Sequence, residues 1–127
     1  MIRKRIAVTT TGDAGSATGD TTDKEVGRGT LYAVYLDYHA DAPATSDVTI
    51  SQAEEPTATL LTVSDNKTDG WYFPRLQVCS EAGAGLSYDG SNAVAEAYPV
   101  TGGIKVAVAG ADALTNCVVA YVYVQED

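Results

Sequence analysis

The single histidine of the chain lies between two aspartates, a spacing that could support chemistry. In an extended strand, Asp37, His39 and Asp41 would share one face and could hold a metal ion or act as an acid–base pair. However, the small residues that follow and Pro43 predict a loop here. No second histidine or nearby cysteine completes a transition-metal set. We therefore expect no metal-binding or catalytic role for His39.

A second stretch with possible ligands is Asp65-Asn66-Lys67-Thr68-Asp69-Gly70, which resembles the start of a calcium loop. Lys67 occupies the third position, where a ligand is needed, and Leu76 stands where the bidentate glutamate should be. Small polar residues followed by glycine are instead typical of a hairpin turn. The sequence predicts a turn without calcium.

Other catalytic patterns do not assemble. No serine occupies a Gly-x-Ser-x-Gly elbow, and Gly27-Arg28-Gly29 precedes a strand where a phosphate loop would follow one. The carboxylates are not paired on strong strands in the way that glycoside hydrolysis requires. We expect a protein that is not an enzyme and has no cofactor or metal.

The charge balance restricts the partners. The 127 residues carry 17 acidic against 8 basic side chains, a net charge of −9. Such a chain repels duplex nucleic acid and anionic membranes, so we expect neither as a partner. Residues 1–20 contain no apolar run that would predict a secretion signal.

The basic residues are concentrated at the start of the chain. Arg3, Lys4 and Arg5 leave only five basic residues for everything that follows. We interpret residues 1–5 as a basic N-terminal arm whose three cations are candidate partner-binding residues. The alternative is a solvated terminus without function. Because only Ile2 is apolar beyond Met1, removal of the arm is expected to leave the domain folded.

Short runs of alternating apolar and polar residues, separated by Gly, Asp, Asn and Pro, predict a series of β-strands. No convincing helical stripe occurs. The strongest strand is 30–38, which should be central because both of its faces are apolar. Residues 12–30 are interpreted as a loop with a weak edge strand at 17–26 and a turn at 27–29, and another turn is predicted at 52–56. Further strands are predicted at 2–11, 48–50, 60–63, 71–79 with a break at Pro74, 94–100, 104–108 and 117–124.

This pattern predicts one all-β domain over residues 1–127, an antiparallel β-sandwich of jelly-roll type with eight or nine strands. Predicted core residues are Val34, Leu36, Trp71, Val106, Val119 and Val122. Trp71 and Phe73 are expected to fill the core, although Trp71, Tyr72 and Tyr88 could instead form a sugar-stacking platform. Cys79 and Cys117 are expected to be buried free thiols, with a disulfide between them as the alternative.

Three stretches in order carry a family resemblance: LYAVYLDYHADAPATSDVTI at 31–50, DGWYFPRLQV at 69–78 and DALTN at 112–116. Together they resemble small structural proteins of tailed bacteriophages, the capsid decoration or cement proteins. The resemblance covers most of the chain from about residue 27.

The resemblance implies a β-sandwich, with a trimer favoured, that clamps neighbouring subunits of the major capsid protein from outside the expanded shell. The protein would be made in the host cytoplasm and reside on the capsid surface of the virion. A different virion role remains open, in which a tail or head-fibre component binds host-surface carbohydrate through Trp71 and Tyr72.

Overall fold

A computed structural model describes residues 1–54 and 57–126, and all regular structure in that part of the chain is β-strand. The predicted class, an all-β antiparallel fold consistent with a sandwich of about nine strands, is confirmed. The strands are β1 Ile2–Val8, β2 Ala17–Tyr38, β3 Asp47–Gln52, β4 Thr59–Val63, β5 Gly70–Tyr72, β6 Arg75–Gln77, β7 Ala95–Ala97, β8 Pro99–Ala111 and β9 Val118–Glu126.

Seven strands form one antiparallel sheet in the order β1-β9-β2-β8-β3-β4, with β5 added beside β2. The pairing is nested, because β1 pairs with β9 and β2 pairs with β8. The remaining two strands, β6 and β7, form a separate small sheet. The turn predicted at 52–56 lies partly outside the described residues.

The 22-residue strand β2 is the centre of the sheet. Its first part pairs with β8 between Ala17 and Thr30, and its second part pairs with β9 from Gly29 onward. A loop precedes Ala17 and a strand covers 17–26, as predicted, but this strand is central rather than a weak edge strand, and 27–29 continue it instead of forming a turn. Pairing with β8 overrides the low strand propensity of this segment, and a register shift before Gly27 accommodates its glycines within the ladder.

Residues 2–5 are the first half of an edge strand, so the predicted N-terminal arm is wrong as a structural description. Ile2 to Arg5 lie opposite Val124 to Tyr121 of β9. Ile2 and Ile6 face the core, while Arg3 and Arg5 alternate with them and are exposed. The basic residues are therefore held by a main-chain ladder.

One hydrophobic core collects the inward faces of β1, β2, β3, β8 and β9. Five of the predicted core residues are buried: Val34, Leu36, Val106, Val119 and Val122. Ala120, between these valines in β9, is also fully buried. Trp71 is the exception, and its position defines the site described below.

Pro74 separates β5 from β6, as its missing N–H requires. The chain leaves the main sheet after Tyr72 and enters the region of residues 75–97, which we call the small lobe. There the N–H of Val78 donates to the Val94 carbonyl, that of Leu86 to Val78, and that of Val94 to Leu86, at 2.8, 2.8 and 3.1 Å. The three bonds form a closed ring of backbone contacts at the centre of the lobe.

Candidate functional site

The outer face of the sheet formed by β5, β2, β9 and β1 carries a contiguous group of aromatic side chains. Trp71 of β5 lies opposite Tyr35 of β2, and Tyr35 lies opposite Tyr121 of β9. Tyr121 in turn lies opposite Arg5 of β1. Residues opposite each other in an antiparallel ladder project to the same side. We call the resulting surface the aromatic face, which comprises Tyr32, Tyr35, Trp71, Phe73, Tyr121 and Tyr123, with Met1, Arg3 and Arg5 at its edge.

The rings on this face contact one another in an unbroken series. The centroid of Trp71 lies 5.1 Å from that of Tyr35 and 5.3 Å from that of Tyr123. Phe73 lies 6.4 Å from Trp71 with its ring within 17° of parallel, and Tyr32 meets Phe73 edge-on at 6.4 Å. Such pairs stabilise each other beyond simple area burial. The rings therefore support one another as a rigid surface.

Three of these six rings are largely in contact with solvent. Trp71 is 53% exposed, Phe73 is 55% exposed and Tyr32 is 47% exposed. The prediction that Trp71 and Phe73 fill the core is therefore wrong. Trp71 takes the outward position of β5, and Tyr72 takes the inward one and packs against the core. Pro74 then ends the ladder before the strand can continue to Leu76.

A bulge in β2 adds Tyr32 to the same face. The register of β2 against β9 shifts between Leu31 and Ala33, so Tyr32 is the extra residue. The sequence alternation predicts that Tyr32 points the same way as Val34. In the structure Val34 is buried and Tyr32 projects outward to meet Phe73.

The surface contains two shallow hollows side by side. The first, of about 420 Å³, has almost purely apolar walls and is lined by Met1, Tyr32, Ala33, Trp71, Phe73 and Tyr123. The second, of about 320 Å³, is lined by Arg3, Tyr35, Trp71, Tyr121 and Tyr123. Trp71 and Tyr123 belong to both hollows, so they form the ridge between them.

The three predicted partner-binding residues do not act together. Arg3 and Arg5 lie at the edge of the aromatic face, with the Arg3 guanidinium carbon 5.2 Å from the centroid of the Tyr121 ring. Lys4 lies opposite the buried Val122 and is half-buried on the other side of β1. The structure thus brings two of the three cations to one surface.

The sugar platform of Trp71, Tyr72 and Tyr88 does not form. The Tyr72 hydroxyl accepts a hydrogen bond from the Asn66 side-chain amide at 3.3 Å, on the inward side of the sheet. Tyr88 is 73% exposed in the small lobe. Trp71 instead contacts aromatic residues of β2 and β9, a grouping that the sequence analysis missed.

The Asp65–Gly70 segment uses its polar groups to join strands. Asp69 Oδ1 accepts a hydrogen bond of 2.7 Å from the Tyr38 backbone N–H. The Asn66 side-chain amide donates to the Tyr38 and Tyr72 hydroxyls and to the Thr68 carbonyl. Burial raises the pKa of the Tyr38 phenol to about 12, against a smaller opposing effect of the Asn66 hydrogen bond. The segment therefore works as a structural loop.

His39 also has a structural contact. The ring Nδ1 of His39 accepts a hydrogen bond from the Asp41 backbone N–H at 3.0 Å. The backbone N–H of His39 donates to the Cys117 carbonyl. Asp37 belongs to β2 and lies opposite Val119. Within residues 1–54 and 57–126, no three His, Cys, Asp or Glu side chains are grouped so that they could hold a metal ion.

The two cysteines are free and differ in environment. Cys117 is buried immediately before β9, and burial raises the pKa of its thiol. Cys79 is exposed in the small lobe, so the prediction that both thiols are buried is wrong for Cys79. The lobe does not pack closely enough on the main core to cover it.

No helix in the described ranges is long and apolar enough to cross a membrane. No family model, curated protein or solved structure matches this chain.

Proposed function

We propose that this chain is a non-enzymatic structural protein of a phage virion that binds the outside of the capsid and stabilises the shell. The observation that carries the proposal is the aromatic face. Tyr, Trp, Phe, Met and Arg are the residue types enriched in protein–protein interfaces, and all five occur together on this surface.

A capsid binder of this kind needs a rigid surface and no chemistry. The aromatic face is built on four neighbouring strands, and its rings pack against one another, so little side-chain entropy remains to be lost on binding. A protein that binds the expanded lattice and not free subunits stabilises the lattice by mass action. We further propose that the chain acts as a homo-oligomer, with a trimer favoured, because several linked contacts multiply a modest affinity.

The test measures occupancy on purified capsids before and after expansion. The combined variant Trp71→Ala and Phe73→Ala should lose occupancy on expanded shells, because truncated hot-spot residues typically cost about 2 kcal/mol or more each. Tyr88→Ala is the matched control, since Tyr88 is also an exposed aromatic residue but lies in the small lobe. Failure of the wild type to bind any capsid would remove the capsid-binding proposal.

Charge reversal tests the edge of the same face. Arg3→Glu with Arg5→Glu should weaken capsid attachment, whereas Lys4→Glu on the other side of β1 should weaken it much less. Raised salt should weaken the wild type too, because exposed charges are screened beyond about 8–10 Å at physiological ionic strength. Full occupancy of the double variant at every salt concentration would exclude the arginines from the interface.

A second candidate function is binding of host-surface carbohydrate by a tail or head-fibre component. The exposure of Trp71 is the one observation that favours it. Sugar sites also need polar groups that hydrogen-bond the hydroxyls. The larger hollow offers almost none, and Tyr72 is turned inward. Quenching of Trp71 fluorescence by glycans of the host surface, without capsid binding, would favour this alternative.

A further inference from the structure

Within the part of the chain that the structure describes, neither Arg3 nor Arg5 forms an ion pair, although the sequence is rich in acidic residues. The sequence has 17 Asp and Glu residues, yet the one ion pair within residues 1–54 and 57–126 joins His39 and Asp41. Asp37 lies on the same face as the arginines but forms no ion pair with them. Arg5 also borders a separate hollow that is lined by Asp23 and Glu25. Arg3, whose guanidinium lies over the Tyr121 ring, is therefore the cation that leaves an open position for an anion on the aromatic face.

This open position adjoins the larger apolar hollow. Arg3 lies opposite Tyr123 in the β1–β9 ladder, and Tyr123 forms part of the hollow wall. One cross-strand step therefore separates the cationic edge from the apolar surface, a distance of about 5 Å. In an extended peptide, side chains two residues apart project to the same side about 6.6 Å apart. One extended segment can therefore place one side chain in the apolar hollow and another beside the cationic edge.

We propose that the aromatic face binds an extended acidic segment of its partner protein. A large apolar side chain of that segment occupies the hollow beside Trp71, and a carboxylate two residues away binds Arg3. This inference rests on the proposed function, because it describes what the capsid partner presents to the face.

Two other occupants fit the aromatic face less well, one because of its charge and one because of its residue spacing. Single-stranded nucleic acid also stacks on aromatic rings, but its repeated phosphates would meet a chain of net charge −9 that offers only two cations here. A second copy of this chain is the other occupant, since Tyr88-Asp89 of the small lobe pairs an aromatic ring with a carboxylate. Those residues are adjacent in sequence, and the spacing on the face requires a separation of two.

Trp71 is the only tryptophan in the chain, so its fluorescence reports directly on the face. The probe is a seven-residue blocked peptide of Gly and Ser with leucine at its third position and aspartate at its fifth. Two matched peptides replace the leucine with glycine or the aspartate with asparagine. We expect a saturable change in Trp71 emission at peptide concentrations up to about 1 mM, and binding about tenfold weaker for each matched peptide.

Variants locate the carboxylate. Arg3→Gln should lose about the same tenfold for the aspartate peptide and should no longer distinguish it from the asparagine peptide. Lys4→Gln should bind like the wild type. Circular dichroism and melting curves of each variant establish that the protein is folded. Equal binding of the aspartate and asparagine peptides to the wild type would overturn the proposal.

The competing occupants give different signals. Tighter binding of an eight-nucleotide thymidine oligomer than of the aspartate peptide would overturn the proposal in favour of single-stranded nucleic acid. A Trp71 emission shift that depends on protein concentration without peptide, and disappears in Asp89→Asn, would overturn it in favour of a second copy. Capsid binding without peptide binding would refute this inference alone, whereas peptide binding without capsid binding would refute the capsid proposal alone.

Discussion

Tyr35 of β2 lies directly across the ladder from Trp71 of β5, with their ring centroids 5.1 Å apart at an interplanar angle of 60°. This edge-to-face pair covers part of a strand whose opposite side is the hydrophobic core. A three-residue strand thus places a large ring at the centre of an exposed surface.

Replacing Leu36 with alanine should destabilise the protein by ~2–5 kcal/mol, because Leu36 is fully buried and its removal leaves a cavity as well as lost transfer energy. Chemical denaturation measures the free energy of unfolding. Leu86→Ala is the control, since Leu86 is 43% exposed and should cost much less. An unchanged unfolding curve for Leu36→Ala would mean that the core is misplaced.

Gly29→Ala should destabilise more than Gly15→Ala. Both glycines have positive φ, 156° and 80°, so both substitutions introduce backbone strain of roughly 1–3 kcal/mol. Only at Gly29 would a Cβ also collide with the Gln125 carbonyl across the ladder, whereas Gly15 has open space around it. Equal melting temperatures of the two variants would show that β9 does not approach β2 this closely.

One tyrosine should titrate late when absorbance near 295 nm is followed against pH. Burial raises the pKa of Tyr38 from 10.0 to about 12, so the folded state holds this proton more tightly than the unfolded state. The resulting stability is fully present below pH 10 and is lost as the pH rises through 12. Tyr38→Phe should remove the late phase, and Tyr88→Phe should retain it.

Chelation should not change the melting curve. Asp69 and Asn66 already hydrogen-bond Tyr38 and neighbouring groups, so the Asp65–Gly70 loop needs no ion to hold it. A ligand bound only by the folded state must raise its stability. Differential scanning calorimetry with EDTA, and separately with added calcium, checks this expectation. A shift in either condition would establish a metal site that we have not assigned.

Removing residues 1–5 should lower the free energy of unfolding, whereas the sequence alone predicts only that the domain stays folded. The deletion takes away the β1 residues that pair with Tyr121 to Val124 and exposes the edge of β9. Arg3→Gln with Arg5→Gln is the control, because it retains the backbone ladder. Identical unfolding curves for the truncated and full-length proteins would show that this part of β1 contributes nothing to stability.

The sequence predicts the class of the fold because burial of one strand face produces an alternation of apolar and other residues. Val106 and Val108 alternate with Lys105 and Ala107, and the structure buries both valines in β8. Such alternation follows from the period of a strand and needs no knowledge of its partners. The predicted strand boundaries are wrong where pairing with a neighbouring strand determines the structure. Residues 17–29 have a polar composition that does not indicate a central strand, yet they pair with β8.

The aromatic face could not be predicted in the same way. Tyr121 and Tyr123 alternate with Val122 and Val124, but tyrosine counts as apolar and the strand therefore appears buried on both sides. Which side is open depends on the register with β1 and β2. Trp71 illustrates the same difficulty, since neither the neighbouring proline nor the ring itself indicates whether it faces the core.

The length of β2 has a mechanical consequence. One uninterrupted strand hydrogen-bonds β8 with its first part and both β9 and β5 with its second. Neither β8 nor β9 can separate from the sheet without opening part of this common ladder. Amide protons of the paired residues of β2 should therefore exchange with solvent only through global unfolding, whereas the small lobe, outside that ladder, can open by itself. A pulling force or a protease would meet resistance in the main sheet and would find its first entry between residues 75 and 97.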